Sequence, residues 1–171
     1  FIPDPDTAAV DPFCQIPTLS MTGNAMIIDH PQNRPLAQYP RNIIRAAVQY
    51  MKDLGIADTM KILPEFEFYL FDDVTWGVAG DHISATVDAK QSYWNSDVEG
   101  KGVIVPKQKN YHIAKPFDVA YECRSEMCMH MKDAGIEINY HHPEVAASGQ
   151  FEIEPQLGKM STMADATMWI K

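Results

Sequence analysis

The chain has 171 residues, 46% of them hydrophobic, which suits one domain or a large part of one with its own core. Its net charge of -9 argues against nucleic acid as a partner, because phosphates attract a basic surface. No segment has the apolar length of a membrane span or the pattern of a signal peptide, and three irregularly spaced cysteines indicate neither a disulfide framework nor a zinc site, so we expect a cytoplasmic protein with no membrane partner.

The first predicted element is a helix that begins near Pro40 and ends at Gly55. Proline is favoured in the first turn of a helix, and glycine often terminates one. Apolar residues recur between them at helical spacing, namely Ile43, Ile44, Ala47, Val48, Met51 and Leu54.

A strand is predicted next, at 64–71, and it carries two glutamates one residue apart. Alternate side chains of a strand share a face, so Glu65 and Glu67 point together, away from the phenylalanines that alternate with them. Two anions on one face repel unless water, a basic side chain or a bound cation neutralises them. Because solvated glutamates are common, this pair alone does not decide among those alternatives.

Residues 76–108 are rich in Gly, Asp and Ser and have little period, which predicts a loop or an insertion. A second helix is expected after them, with Asp118 as its capping residue and Gly135 at its end. A third apolar repeat at helical spacing covers 159–171.

Two strand-like runs separated by small residues predict a hairpin over 136–154. With the turn centred near Ser148, Glu144 would lie opposite Glu152. Acid opposite acid is destabilising, so either a bulge or a cation is expected between them.

The two acidic segments together supply four carboxylates, Glu65, Glu67, Glu144 and Glu152. Four carboxylates suit a cluster of two Mg²⁺ or Mn²⁺ ions that is completed by water and substrate phosphate, because these cations choose oxygen ligands. His141 and His142 lie beside the cluster, but adjacent strand residues face opposite ways, so at most His142 shares the glutamate face. We expect neither histidine to be a ligand. The alternation of helices with strands predicts an α+β fold, in which a largely antiparallel sheet has helices on one face and the glutamates on the other.

In these motifs the chain resembles glutamine synthetase. That family carries an E-x-E-F strand with an F-D-D tail, an R-S-E-M helix and an H-H-x-E-V-A-x-x-G-Q-x-E hairpin. The corresponding residues are Glu65–Phe68, Phe71–Asp73, Arg124–Met127 and His141–Glu152. The residues up to Phe13 look like the opening of the family's catalytic domain, so the resemblance implies that residues 1–171 are the N-terminal half of such a domain.

The resemblance also implies roles for individual residues. Glu67, Glu144 and Glu152 fall on the positions that hold one divalent ion in the family, and Glu65 falls on a ligand of the second ion. Glu67 and Glu144 would also lie at the substrate, and Tyr111 would form the ammonium pocket with Glu144.

The implied reaction joins ammonia to the side-chain carboxylate of L-glutamate through γ-glutamyl phosphate. ATP would be the co-substrate, two or more Mg²⁺ or Mn²⁺ ions the cofactors, and homo-oligomeric rings the assembly of the full-length protein. In the family the remaining metal ligands and the arginines that clamp the nucleotide belong to a later part of the domain, so this half alone is expected to be inactive.

Three positions depart from the family pattern and leave alternatives open. Asn139 stands where the family often has a glutamate that contacts the nucleotide, and Gln156 and Leu157 replace an arginine and an aromatic residue. These changes fit a divergent branch as readily as a γ-glutamyl-amine ligase that uses a polyamine or another amine instead of ammonia. A non-catalytic member that acts in assembly is a third hypothesis, and it is disfavoured because four neighbouring acids are costly to keep without a cation.

Overall fold

The computed structural model of the protein describes all residues, 1–171. The strands, in chain order, are β1 Ile2–Pro3, β2 Ala9–Val10, β3 Leu19–Ser20, β4 Gly23–Asn24, β5 Met26–Ile27, β6 Arg34–Pro35, β7 Lys61–Ile62, β8 Phe66–Tyr69, β9 Asp73–Val78, β10 Ile83–Asp88, β11 Ile138–Pro143, β12 Gln150–Pro155 and β13 Gly158–Lys159. The helices are α1 Pro40–Asp53, α2 Tyr121–Asp133 and α3 Met160–Ile170, and single 3₁₀ turns lie at Pro5–Thr7 and Tyr93–Asn95.

The strands form one three-stranded and five two-stranded sheets, and the pairs with a defined register are antiparallel. The predicted α+β class with antiparallel pairing is therefore confirmed, although the sheets are smaller than a single continuous one. None of the three helices has the length and apolar character that crossing a bilayer requires. By its internal contacts the chain divides into two compact units, which are Phe1–Pro64 with His130–Glu137 and Pro155–Lys171, and Glu65–Met129 with Ile138–Glu154.

The first unit is held together by helices α1 and α3 and by one arginine between them. Arg41 donates from Nε and Nη2 to the two carboxylate oxygens of Asp165, at 2.7 and 2.8 Å, and its Nη2 also lies 2.6 Å from Asp4. The planar guanidinium matches a carboxylate with two parallel hydrogen bonds. Arg41 therefore joins α1, α3 and the first residues of the chain.

The ends of the helices follow the predicted signals at three of four positions. Helix α1 begins at Pro40, and both α1 and α2 are followed by a glycine with positive φ, Gly55 at +67° and Gly135 at +83°. The prediction that Asp118 caps α2 is wrong. Helix α2 begins three residues later, at Tyr121, and the Asp118 carboxylate instead accepts two hydrogen bonds from Arg124.

The three-stranded sheet of the second unit has β12 at its centre, between β11 and β8. All six residues of β12 are buried. Because side chains alternate along a strand, Phe151 and Ile153 share the apolar face, whereas Gln150, Glu152 and Glu154 share the other. The sheet thus has a core face and an acidic face, as predicted.

Residues 76–108, predicted as a loop or an insertion, contain a β-hairpin at their start. Strands β9 and β10 pair over six residues, and Trp76 lies opposite Ala85 in that register. Both faces of the hairpin are largely exposed, with Trp76 77% and Ile83 81% accessible. The glycine and aspartate content concealed the strands, because the β-branched residues that favour a strand are present in both but do not alternate.

Candidate metal centre

Strand β8, which carries the E-x-E motif, pairs with β12 and places two glutamates directly opposite each other. Glu67 on β8 pairs in register with Glu152 on β12. Glu65 and Glu67 are both exposed, whereas the phenylalanines that alternate with them are half-buried, so the predicted separation of faces is confirmed. The carboxylate of Glu67 accepts a hydrogen bond from Gln150 Nε2 at 2.9 Å.

The register of the β11–β12 hairpin differs from the prediction by two residues. The backbone N–H of Glu144 donates to the carbonyl of Gln150 at 2.8 Å, so Glu144 lies opposite Gln150 rather than opposite Glu152. Gly149 makes the tighter connection possible with a φ of +94° and a close approach to Leu70. A Cβ at Gly149 would lie 2.9 Å from the carbonyl oxygen of Leu70, so only glycine fits there.

The shifted register places His142 between two of the predicted ligands. His142 Nδ1 lies 3.8 Å from Glu144 Oε2, and its Nε2 lies 3.5 Å from Glu152 Oε2. All three side chains are buried, and one potential ligand atom from each lies within 4.8 Å of the others. The expectation that His142 is not a ligand therefore lacks geometric support, whereas its predicted place on the glutamate face is correct.

A second group of potential ligand atoms consists of Glu65, Glu152 and Glu154, again within 4.8 Å of one another. Glu152 belongs to both groups, and Glu67 belongs to neither. Sequence analysis missed Glu154 as a member, although its spacing of two residues from Glu152 on one strand was the available signal.

No lysine or arginine forms an ion pair with any of these glutamates. Burial raises the pKa of Glu152 from 4.5 to about 7, with further contributions from its hydrogen bond to Glu144 and from repulsion by Glu144, Glu154 and Glu65. The Tyr140 hydroxyl donates to Glu154 at 2.6 Å, and this bond is the main reason that the pKa of Tyr140 is raised to about 12. The acidic face therefore carries negative charge that no lysine or arginine neutralises.

Aromatic rings lie against His142. The ring of His112 stacks on the His142 ring with 4.1 Å between the ring centres, and the ring of Tyr111 meets the His142 ring edge to face with 5.3 Å between the centres. Tyr111 is 56% exposed, so its hydroxyl is accessible from solvent. The structure thus places Tyr111 beside the residue that contacts Glu144.

Asn110 secures the end of the hairpin, a role that sequence analysis missed. Its side-chain amide donates to the backbone carbonyls of Glu144 and Gln150, both at 3.0 Å, and the residue is buried. Nothing in the local sequence marks it, since asparagine is ordinary in a loop. Asn139, Gln156 and Leu157, the three departures from the family pattern, are exposed.

The donor atoms fit a divalent cation. Carboxylate oxygens without basic partners are what Mg²⁺ and Mn²⁺ prefer, and Mn²⁺ also accepts an imidazole nitrogen such as that of His142. Burial, the main cause of the raised pKa of Glu152, makes its charged form costly, and a bound cation would offset that cost and the repulsion from the neighbouring glutamates.

An α+β domain whose antiparallel sheet presents an acidic face without lysine or arginine partners belongs to the class of domains that can hold divalent cations. The chain belongs to the glutamine synthetase family. The family model described as "Glutamine synthetase, catalytic domain" matches residues 37–171.

Individual relatives agree with this assignment. The chain is 39% identical to a glutamine synthetase of Pasteurella multocida over 99% of this chain and 36% of that protein. It is 34% identical to a 3-hydroxylaminophenol mutase of Cupriavidus pinatubonensis over 97% of this chain and 36% of that protein. The fold resembles a solved structure of Plasmodium falciparum glutamine synthetase with a TM-score of 0.74 and 21% identity, over 96% of this chain and 33% of that one. The chain spans about a third of the length of the curated relatives it matches.

Proposed function

We propose that the full-length protein is a glutamate–ammonia ligase, which uses ATP to join ammonia to the side-chain carboxylate of L-glutamate and gives glutamine. The observation that carries this proposal is the buried acidic face, where Glu144 and Glu152 converge on His142 without a lysine or arginine partner. Membership of the family supplies the reaction class.

Two groups of residues would hold divalent ions. His142, Glu144 and Glu152 form one, and Glu65 and Glu154 form the other with the shared Glu152. Glu67, which we also propose as a ligand, accepts the hydrogen bond of Gln150 at Oε2, so this bond would orient the carboxylate while Oε1 binds an ion. The chemistry that Mg²⁺ or Mn²⁺ supplies there is neutralisation of phosphate charge during phosphoryl transfer.

In the first half-reaction the terminal phosphoryl group of ATP is transferred to a carboxylate oxygen of glutamate, which gives γ-glutamyl phosphate and ADP. The phosphorylated oxygen becomes a good leaving group, which a free carboxylate oxygen is not. In the second half-reaction ammonia attacks the activated carbonyl carbon, and a C–N bond forms. Phosphate departs with the electrons of the broken C–O bond, and the nitrogen gives up one proton to the departing phosphate to leave the neutral amide.

Glu144 and Tyr111 are proposed to receive the ammonium ion. Oε1 of Glu144 accepts the backbone N–H of Val145 at 2.8 Å, which fixes the carboxylate and leaves Oε2 towards His142. An anionic oxygen favours a bound cation, so Oε2 can hold ammonium and take part in removing its proton. Glu67 and Glu144 would also lie near the amino group of the substrate. The cytoplasmic location and the homo-oligomeric ring assembly remain predictions.

Alanine substitution of Glu144 or Glu152 in the full-length protein tests the proposal. Each variant should lose at least two orders of magnitude in turnover and bind Mn²⁺ more weakly, because a metal ligand is removed. Glu126→Ala is the matched control, since this exposed glutamate lies on α2 away from the acidic face. Near-normal turnover and Mn²⁺ binding in both site variants would reject the assignment.

The acceptor amine is tested with the wild-type protein. Metal-dependent ADP release with glutamate should depend on ammonia. Release only with a polyamine or another amine would instead identify a γ-glutamyl-amine ligase, and no release with any amine would identify a non-catalytic member.

A further inference from the structure

Arg124 is fully buried, although arginine is seldom so, and it lies on the core side of the three-stranded sheet. Its Nη1 and Nη2 donate to the two carboxylate oxygens of Asp118 at 2.9 and 2.5 Å. This pair neutralises the guanidinium, but it uses only one edge of the group. Nε and the planar face remain, and both contact the sheet.

The remaining donor of Arg124 is directed at β11. Nε lies 3.2 Å from Nδ1 of His141. Because a guanidinium nitrogen can only donate, Nδ1 must be the acceptor, and the proton of the neutral ring is therefore on Nε2.

The planar face of Arg124 lies over β12. Its guanidinium carbon is 4.6 Å from the centre of the Phe151 ring, within the range of a cation–π contact. One side chain thus contacts both neighbouring strands, His141 on β11 and Phe151 on β12.

Each of the two strand residues that Arg124 contacts is followed directly by a member of the acidic cluster. His142 follows His141, and Glu152 follows Phe151. Adjacent residues of a strand point to opposite faces, so Arg124 contacts β11 and β12 on the face opposite His142 and Glu152. On that other face, Nε2 of His142 and Oε2 of Glu152 lie 3.5 Å apart.

We propose that Arg124 is a positioning residue of the metal centre, which sets the separation of His142 and Glu152 from the opposite face of the sheet. The inference rests on the proposed function, because it assigns the cluster to a metal. Groups that orient metal ligands from behind commonly change metal affinity by about 10- to 100-fold when they are removed. A buried ion pair with a purely structural role would change stability without a selective effect on that affinity.

Paired substitutions at His141 in the full-length protein separate the two roles. His141→Leu removes the acceptor for Nε and leaves the Arg124–Asp118 pair intact. His141→Asn is the rescue variant, since its Oδ1 is attached to Cγ as Nδ1 is in histidine and can accept the same hydrogen bond. We expect the dissociation constant for Mn²⁺ to rise about tenfold in the leucine variant and by much less in the asparagine variant.

Arg124→Lys is a second test of the same role, because lysine keeps the positive charge beside Asp118 but lacks the bidentate donors and the planar face of the guanidinium group. Arg41→Lys is its control, since Arg41 makes a comparable bidentate pair with Asp165 in the other unit. Mn²⁺ binding is measured by electron paramagnetic resonance and unfolding by urea titration. We expect Arg124→Lys to weaken Mn²⁺ binding about tenfold, whereas Arg41→Lys shifts only the urea midpoint.

The inference is overturned if the wild type binds Mn²⁺ and His141→Leu and Arg124→Lys bind it equally well, or if affinity merely follows the urea midpoint across all variants. Wild-type protein that does not bind Mn²⁺ would refute the proposed function itself, and this inference with it.

Discussion

Replacing Glu152 with glutamine should stabilise the metal-free protein while it impairs the metal-bound one. Glu152 is 7% exposed and lies among three other glutamates, and its pKa in the folded state is about 7 instead of 4.5. A group whose pKa is raised on folding contributes stability that is fully present below its unfolded pKa and is lost as the pH rises through the folded value. The wild-type protein should therefore lose stability between about pH 4.5 and pH 7.

The size of the loss follows from the same shift. Since each tenfold change in proton affinity is worth about 1.4 kcal/mol, the rise to about 7 corresponds to about 3 kcal/mol at pH 8. Glutamine has nearly the same shape and no charge, so Glu152→Gln should exceed the wild type by about 1 to 3 kcal/mol at pH 8 in EDTA, and the difference should disappear near pH 4.5.

Adding Mn²⁺ should reverse the order of stability, so that the wild type becomes more stable than Glu152→Gln. Mn²⁺ at about 1,000 times its dissociation constant stabilises the folded wild type by about 4.1 kcal/mol, which exceeds the advantage of the variant, whose site lacks the shared Glu152 carboxylate. The assay is urea unfolding of the full-length protein from pH 4.5 to 8, with EDTA or Mn²⁺, and Glu126→Gln controls for the change in net charge. Equal urea midpoints for wild type and Glu152→Gln at every pH in EDTA would show that Glu152 carries no uncompensated charge.

Three further predictions concern the residues that shape the site. Gly149→Ala should destabilise the protein by about 2 kcal/mol, because φ is +94° and the new Cβ would lie 2.9 Å from the Leu70 carbonyl oxygen; an unchanged urea midpoint would contradict this geometry. Asn110→Ala should lower the free energy of unfolding by about 1 to 3 kcal/mol, since two buried carbonyls lose a donor. Relative to the wild type, the substitution should accelerate hydrogen exchange more in β11 and β12 than in α1; an equal change in all three would refute that local role. Tyr111→Phe should raise the KM for ammonia about fivefold, equivalent to one hydrogen bond, with kcat nearly unchanged; a lower kcat at the same KM would exclude Tyr111 from the ammonium pocket.

The elements with strong local signals could be predicted from the sequence. Pro40 and Gly55 bracket α1 because the proline ring fixes a helical φ, whereas glycine, which has no Cβ, tolerates the positive φ that ends the helix. The two faces of β8 followed from the alternation of glutamate and phenylalanine, which needs no knowledge of the neighbouring strand. The convergence of Glu144 and Glu152 was also expected, since both flank one short connection.

What the sequence did not predict depends on contacts between distant residues. The hairpin register is set by the left-handed conformation of Gly149 and by its approach to Leu70, neither of which composition reveals. A shift of two residues retains the same face, so the acids were correctly assigned to one side while their partners were not. Arg124 has the charge of a surface residue, and its burial depends on Asp118, His141 and Phe151 being brought around it by the fold.

The hydrogen bond between Gln150 and Glu67 joins residues 83 positions apart. Closing so long a loop is slow, so β12 should meet β8 late on the folding pathway, after the local β11–β12 hairpin has formed. Docking of β8 onto β12 is then the rate-limiting step, and the close approach of Glu65 to Glu152 and Glu154 is completed only after it. Divalent cations should accordingly slow unfolding far more than they accelerate folding, and the lifetime of the native state, rather than its rate of formation, should depend on the metal supply.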